Sequence, residues 1–133
     1  MLRIYILILV LFFACCSPLE IGNVFGIGTK AFREKGKIYT KTFEKDIFSC
    51  YTQTRKFLEH IGASFYRGSR KKNFMVMTHF NGIFLQCNES TEVAIFFKEI
   101  DKFKTNVEVS SLNYSLSEFV SAKLFKELEK KGQ

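Results

Sequence analysis

The sequence predicts an α+β domain, a curved antiparallel sheet of four to five strands with two helices on one face, in the order β-α-β-β-β-β-α, give or take one strand. Three observations lead there. Several short segments alternate apolar and polar residues, as half-buried strands do. Two longer segments place apolar residues at three- and four-residue steps, which makes one apolar helix face each. The turns between strand segments are short, so neighbouring strands run antiparallel. Each helix needs an apolar surface to cover, and a sheet face is the one on offer.

The elements follow in order. Ile38 to Phe43 (IYTKTF) alternates and reads as a strand. Ile47, Cys50, Tyr51, Thr54, Phe57, Leu58 and Ile61 share one face of a helix from about Glu44 to His60. Gly62 stands where a left-handed C-cap is expected. Ser64 to Arg67 is a short strand that ends in the basic run Arg67-Gly68-Ser69-Arg70-Lys71-Lys72. Phe74 to Phe80 leads into Asn81-Gly82, a strong hairpin-turn dipeptide, with Ile83 to Cys87 as the returning strand. Glu92 to Ile100 is apolar on both faces, which places it centrally in the sheet. Asp101 to Phe103 makes a turn, and Thr105 to Leu112 alternates again. Ser115-Leu116-Ser117-Glu118 matches a capping box. It opens a helix with Leu116, Phe119, Val120, Leu124 and Leu128 on one side and Gly132 at its end.

The N-terminus reads differently. Met1-Leu2-Arg3 precedes the uncharged apolar run Ile4 to Ala14. A spanning helix needs about 20 apolar residues. This run is shorter and suits the apolar region of a signal peptide, roughly 7–15 residues. Phe12-Phe13-Ala14-Cys15-Cys16 then resembles the site of lipoprotein signal peptidase, with Phe where Leu is usual. Ala14 supplies the small residue before Cys15, so Cys15 is the expected lipidation site. The expected organisation is a signal peptide over 1–14, a lipidated N-terminus and tether over 15–36, and one domain over 37–131. The tether is interrupted by Pro18, Gly22, Gly26, Gly28 and Gly36, yet carries Ile21, Val24, Phe25 and Ile27. The stretch Val24 to Phe32 is accordingly expected either to hang free or to fold over the sheet.

Four segments carry a likeness to a family: Gly36-Lys37-Ile38-Tyr39, Phe80-Asn81-Gly82-Ile83-Phe84, Thr91 to Phe97 and Val107 to Leu112. Over about Lys30 to Lys130 the chain resembles small bacterial lipoproteins of unknown function, which share a signal, a Gly-rich tether and one α+β domain. The resemblance implies an envelope location and brings no catalytic residues.

Candidate chemistry is sparse. With Cys15 acylated, Cys50 and Cys87 are candidates for a disulfide worth about 3–4 kcal/mol in a chain-entropy model, and a buried apolar role for Cys50 is the alternative. No Cys-x-x-Cys or His-x-x-x-His spacing points to a metal, and nothing implies a cofactor. His60 falls at a helix end and His79 in a strand, with no third residue to make a catalytic set. The formal net charge is +7. Arg67, Arg70, Lys71 and Lys72 are the densest cluster, either a solvated turn or a contact for lipid headgroups or another polyanion. Met75, Met77, Ala94 and Phe96 suggest an apolar sheet face left for a partner, a lipid or a second copy.

The expectation is therefore a non-enzymatic cell-envelope lipoprotein. It is an interaction or structural module held to a membrane by Cys15, its domain facing the periplasm or outside. The alternative is a periplasmic domain that binds a lipid or small ligand on the apolar sheet face. Expected partners are the membrane and another envelope protein or lipid; export argues against nucleic acid.

Overall fold

The computed structural model describes residues 29–80 and 91–130. Its elements are α1 (Thr29–Lys35), β1 (Lys37–Phe43), α2 (Ile47–His60), β2 (Ser64–Ser69), β3 (Phe74–Thr78), β4 (Val93–Asp101), β5 (Lys104–Ser111) and α3 (Tyr114–Leu128). The five strands form one antiparallel sheet in the order β1-β5-β4-β3-β2. The fold is α+β as expected, with three helices where two were expected. The additional one, α1, precedes the sheet.

Local chemistry explains the boundaries. Helix α2 starts at Ile47, later than the expected Glu44, because Asp46 caps it. The Asp46 carboxylate accepts from the Ser49 backbone N–H at 3.0 Å and the Ser49 hydroxyl at 2.6 Å. These bonds, the hydroxyl first, hold its pKa below the usual carboxylate value. At the other end Gly62 sits at φ 108°, and the Ala63 N–H donates to the Leu58 carbonyl at 3.0 Å. The expected glycine C-cap is there. Helix α3 starts before the expected capping box: Asn113 is the cap, accepting from the Leu116 N–H at 3.2 Å. Strand β3 ends at Thr78 because His79 turns the chain at φ 63°. The expected return strand Ile83–Cys87, its turn Asn81-Gly82, and Gly132 lie outside the described residues. Both edges of β3 are occupied, by β2 and β4.

One face of the sheet carries the main core. Phe43, Met75, Met77, Val93, Ile95, Phe97, Val107 and Val109 pack against Cys50, Tyr51 and Leu58 of α2 and Leu116, Val120, Leu124 and Leu128 of α3. Tyr51 lies against Phe97 with ring centres 5.4 Å apart, and Phe43 against Phe125 at 5.6 Å. β4 is the central strand, and its first five residues are all buried because both of its faces are covered. The second face is covered only in part. There Phe32 of α1 is fully buried against Val76, Ala94 and Phe96, with Phe74 beside them.

The attachment of α1 is specific. The Ser110 hydroxyl donates to the Phe32 carbonyl at 2.6 Å. Arg33 stacks on the Phe96 ring at 4.1 Å and lies 3.8 Å from the Glu108 carboxylate. Gly36 joins α1 to β1 where no side chain fits: a Cβ there would collide with Ser110 Oγ and sit 2.5 Å from the Phe32 carbonyl. Among the described residues no helix is long and apolar enough to cross a membrane.

Candidate functional site

The four apolar residues expected to share an open face do not share one. Register decides this. Met75 pairs with Ile95 and Met77 with Val93, all four turned into the helix-covered core. Phe74 pairs with Phe96 and Val76 with Ala94 on the opposite face. Two of the four expected residues, Met75 and Met77, are thus fully enclosed by the helices. The other two lie under α1. Of the two arrangements considered for the tether, its last residues, Thr29 to Phe32, take the packed one. Beside them, the same face carries a polar ladder, with Asn106 bonded to Thr40 and Thr42 at 3.1 Å.

The reactive side chains are dispersed. Cys50 is a fully buried free thiol in the α2–sheet interface, and burial pushes its pKa up. Cys87 lies outside the described residues, as does Cys15. His60 is exposed at the end of α2, and His79 is exposed after β3. Among the described residues no group of three His, Cys, Asp or Glu side chains gathers as a metal site.

A cleft of about 440 Å³ runs along α2 on the helix side of the molecule. Phe48, Thr52, Lys56 and His60 recur along it at four-residue steps, with Gln53 and Glu127 beside them. Its end is tied down by Lys45, whose ammonium donates to Gln53 Oε1 and to the Lys130 carbonyl, each at 2.8 Å. Gln53 in turn donates to the Glu127 carbonyl at 3.1 Å. These bonds engage the Glu127 carbonyl in the last turn of α3 and the Lys130 carbonyl just beyond it, and place a cation at the negative end of the helix dipole. The cleft is open to solvent, lined by both polar and apolar groups, and lies off the sheet face to which the alternative reading assigns a ligand.

The basic run splits. Arg67 is half-buried within β2 and shares Val76's face, the α1 side. Arg70, Lys71 and Lys72 are exposed in the β2–β3 turn. Arg70 stacks on Phe48 at 4.1 Å and reaches Tyr51 at 5.8 Å, which ties the turn to the first turn of α2. The Asn73 carbonyl accepts from the Phe97 N–H at 2.9 Å, so this turn lies beside β4. From Phe97 the strand runs on to Asp101 and the β4–β5 turn. Two basic turns therefore lie at the same end of the sheet.

The second of these turns was not anticipated as a site. Ile100 and Phe103 are 52% and 75% exposed, and Lys98, Lys102 and Lys104 flank them. The signal was present: two large apolar residues in a turn otherwise made of charges. No family model, no curated protein and no solved structure matches the chain.

Proposed function

We propose that this protein is a non-enzymatic lipoprotein of the bacterial cell envelope, anchored through acylated Cys15, whose domain works as an interaction module. The observation that carries the module reading is the placement of the β2–β3 and β4–β5 turns at the same end of the sheet. They present a cationic, partly apolar surface, whereas the apolar part of the sheet face that would have served as a ligand site is occupied by Phe32. The anchor reading rests on the apolar run Ile4 to Ala14 and on Ala14 before Cys15. It is supported by α1, which clamps the last part of the proposed tether onto the sheet. A pull on the anchor would thus be taken up by Phe32 and the Ser110 hydrogen bond, before β1.

The test is metabolic labelling with a fatty acid in a bacterial host. Label is expected on the wild-type chain and on Cys16→Ser, and lost with Cys15→Ser, which leaves the membrane fraction. Label retained by Cys15→Ser, or absent from wild type, contradicts the reading.

A further inference from the structure

We infer that the β4–β5 turn, with the β2–β3 turn beside it, is a docking surface for an anionic phospholipid bilayer. Six basic side chains stand on the two turns and the arms of the second: Arg70, Lys71 and Lys72 on the first, and Lys98, Lys102 and Lys104 on the second. All are exposed, and among the described residues none of them forms an ion pair. Among the described residues the ion pairs Lys30–Glu34, Arg33–Glu108, Lys41–Glu129, Arg55–Glu59 and Lys130–Glu127 all lie away from these two turns. Two acids share the region, Glu99 and Asp101. Asp101 is engaged locally, its carboxylate accepting from the Phe103 N–H at 2.7 Å and bracing the turn. The surface is therefore net cationic.

The order of residues along the projection points to lipid. Phe103 and Lys102 are the two turn residues beyond the Asp101–Lys104 pair, Ile100 lies behind them at the end of β4, and Lys98 and Lys104 stand on the two arms. An exposed ring with cations beside and behind it matches a bilayer surface, where acyl chains lie beneath anionic headgroups. An acidic protein would need a complementary face of roughly 800 Å² on each partner. Two short turns do not offer that area. A merely solvated turn has no use for a phenylalanine three-quarters exposed.

The placement also suits the proposed tether, and the inference rests on that reading only for which bilayer the tip meets. Residues 16–28 lead to the domain at Thr29; α1 then carries the chain to Gly36, beside the Lys37–Ser111 pair, while the tip lies beyond the Phe43–Thr105 pair at the other end. The strand β1 between them is roughly 24 Å long. Thirteen residues, 16–28, span at most roughly 43–47 Å when extended. A chain anchored at Cys15 can therefore bring the tip to its own membrane.

The chain contains no Trp, so Phe103→Trp is a clean fluorescent reporter at an exposed position. The full lipidated chain carrying it is reconstituted into phosphatidylcholine vesicles and into vesicles containing phosphatidylglycerol. Blue-shifted emission and quenching by brominated lipid are expected only with phosphatidylglycerol. About 1 M salt, where the Debye length is about 3 Å, reverses both. Each of Lys98→Gln, Lys102→Gln and Lys104→Gln lowers the docking equilibrium constant about fivefold. A Tyr114→Trp reporter, at the opposite end and 60% exposed, stays solvent-like. Solvent-like emission from Phe103→Trp in both vesicles overturns the inference, as does equal burial in neutral vesicles. So does a shift produced by polyglutamate without lipid, or quenching at Tyr114→Trp in place of Phe103→Trp. A failed anchor is read separately, from the mass of Cys15, because an unlipidated chain still meets added vesicles in this assay.

Discussion

The Ser110 hydroxyl of β5 donates a 2.6 Å hydrogen bond to the carbonyl of Phe32 in α1, and the bond is buried. A seven-residue helix is too short to persist in water alone, so α1 exists because the sheet holds it. Phe32 supplies the apolar part of that hold and Ser110 the polar part.

Phe32→Ala removes a fully buried ring and is expected to lower unfolding free energy by about 3–5 kcal/mol. Ser110→Ala leaves a buried carbonyl without its hydroxyl partner and is expected to lower it by about 1–3 kcal/mol. Urea melts of the two single variants and the double measure this. The double variant should fall short of the sum, because both residues hold the same helix.

Gly36→Ala tests the junction behind that pair. The added methyl has no room against Ser110 Oγ and the Phe32 carbonyl, so α1 must shift off β5. A loss of about 1–3 kcal/mol is expected, with raised amide exchange in residues 29–35 ahead of the rest of the domain. Wild-type stability and exchange would contradict the close approach.

Much of the helical part of the fold was legible, because its signals are local. The apolar face of α2 and the cap at Gly62 follow from spacing and from one glycine. Helix α1 was hidden, since it has a single buried anchor in a stretch broken by glycines. The start of α3 was misplaced because Ser115-Leu116-Ser117-Glu118 imitates a cap and Asn113 provides the real one. The apolar sheet face was misjudged for a deeper reason. Which of Met75, Met77, Ala94 and Phe96 point the same way depends on the β3–β4 register, and a one-residue slip exchanges the faces. The Ile100–Phe103 tip was readable as residues, but its placement at the same end as Arg70, Lys71 and Lys72 is set by strand order.

Asp46 predicts an acid limb in stability. Its pKa is lowered in the folded state by the Ser49 hydroxyl and backbone bonds. The stabilisation is therefore complete above the unfolded carboxylate value, about 3.9, and is lost as pH falls through the lower folded value. Asp46→Ala is expected to cost about 1 kcal/mol near pH 7 and progressively less below pH 4. A cost independent of pH between 2 and 7, measured by urea melts, would rule out the charged cap.

Cys50 predicts the opposite limb. Burial raises its thiol pKa, so the neutral form is favoured in the folded domain. Its contribution holds below the unfolded thiol value, about 8.5, and is lost as pH rises above it. The native thiol is expected to resist alkylation at pH 7.5 and to react only as the domain opens. Peptide mapping after a short pulse of iodoacetamide distinguishes this from an accessible or oxidised cysteine, either of which would contradict the buried free thiol.

The central claim, a domain tethered through Cys15, is tested most directly by the intact mass of the protein extracted from membranes. The account predicts a chain beginning at Cys15 that carries a diacylglyceryl group. A full-length unmodified chain, or a mature chain free in the aqueous fraction, would contradict it.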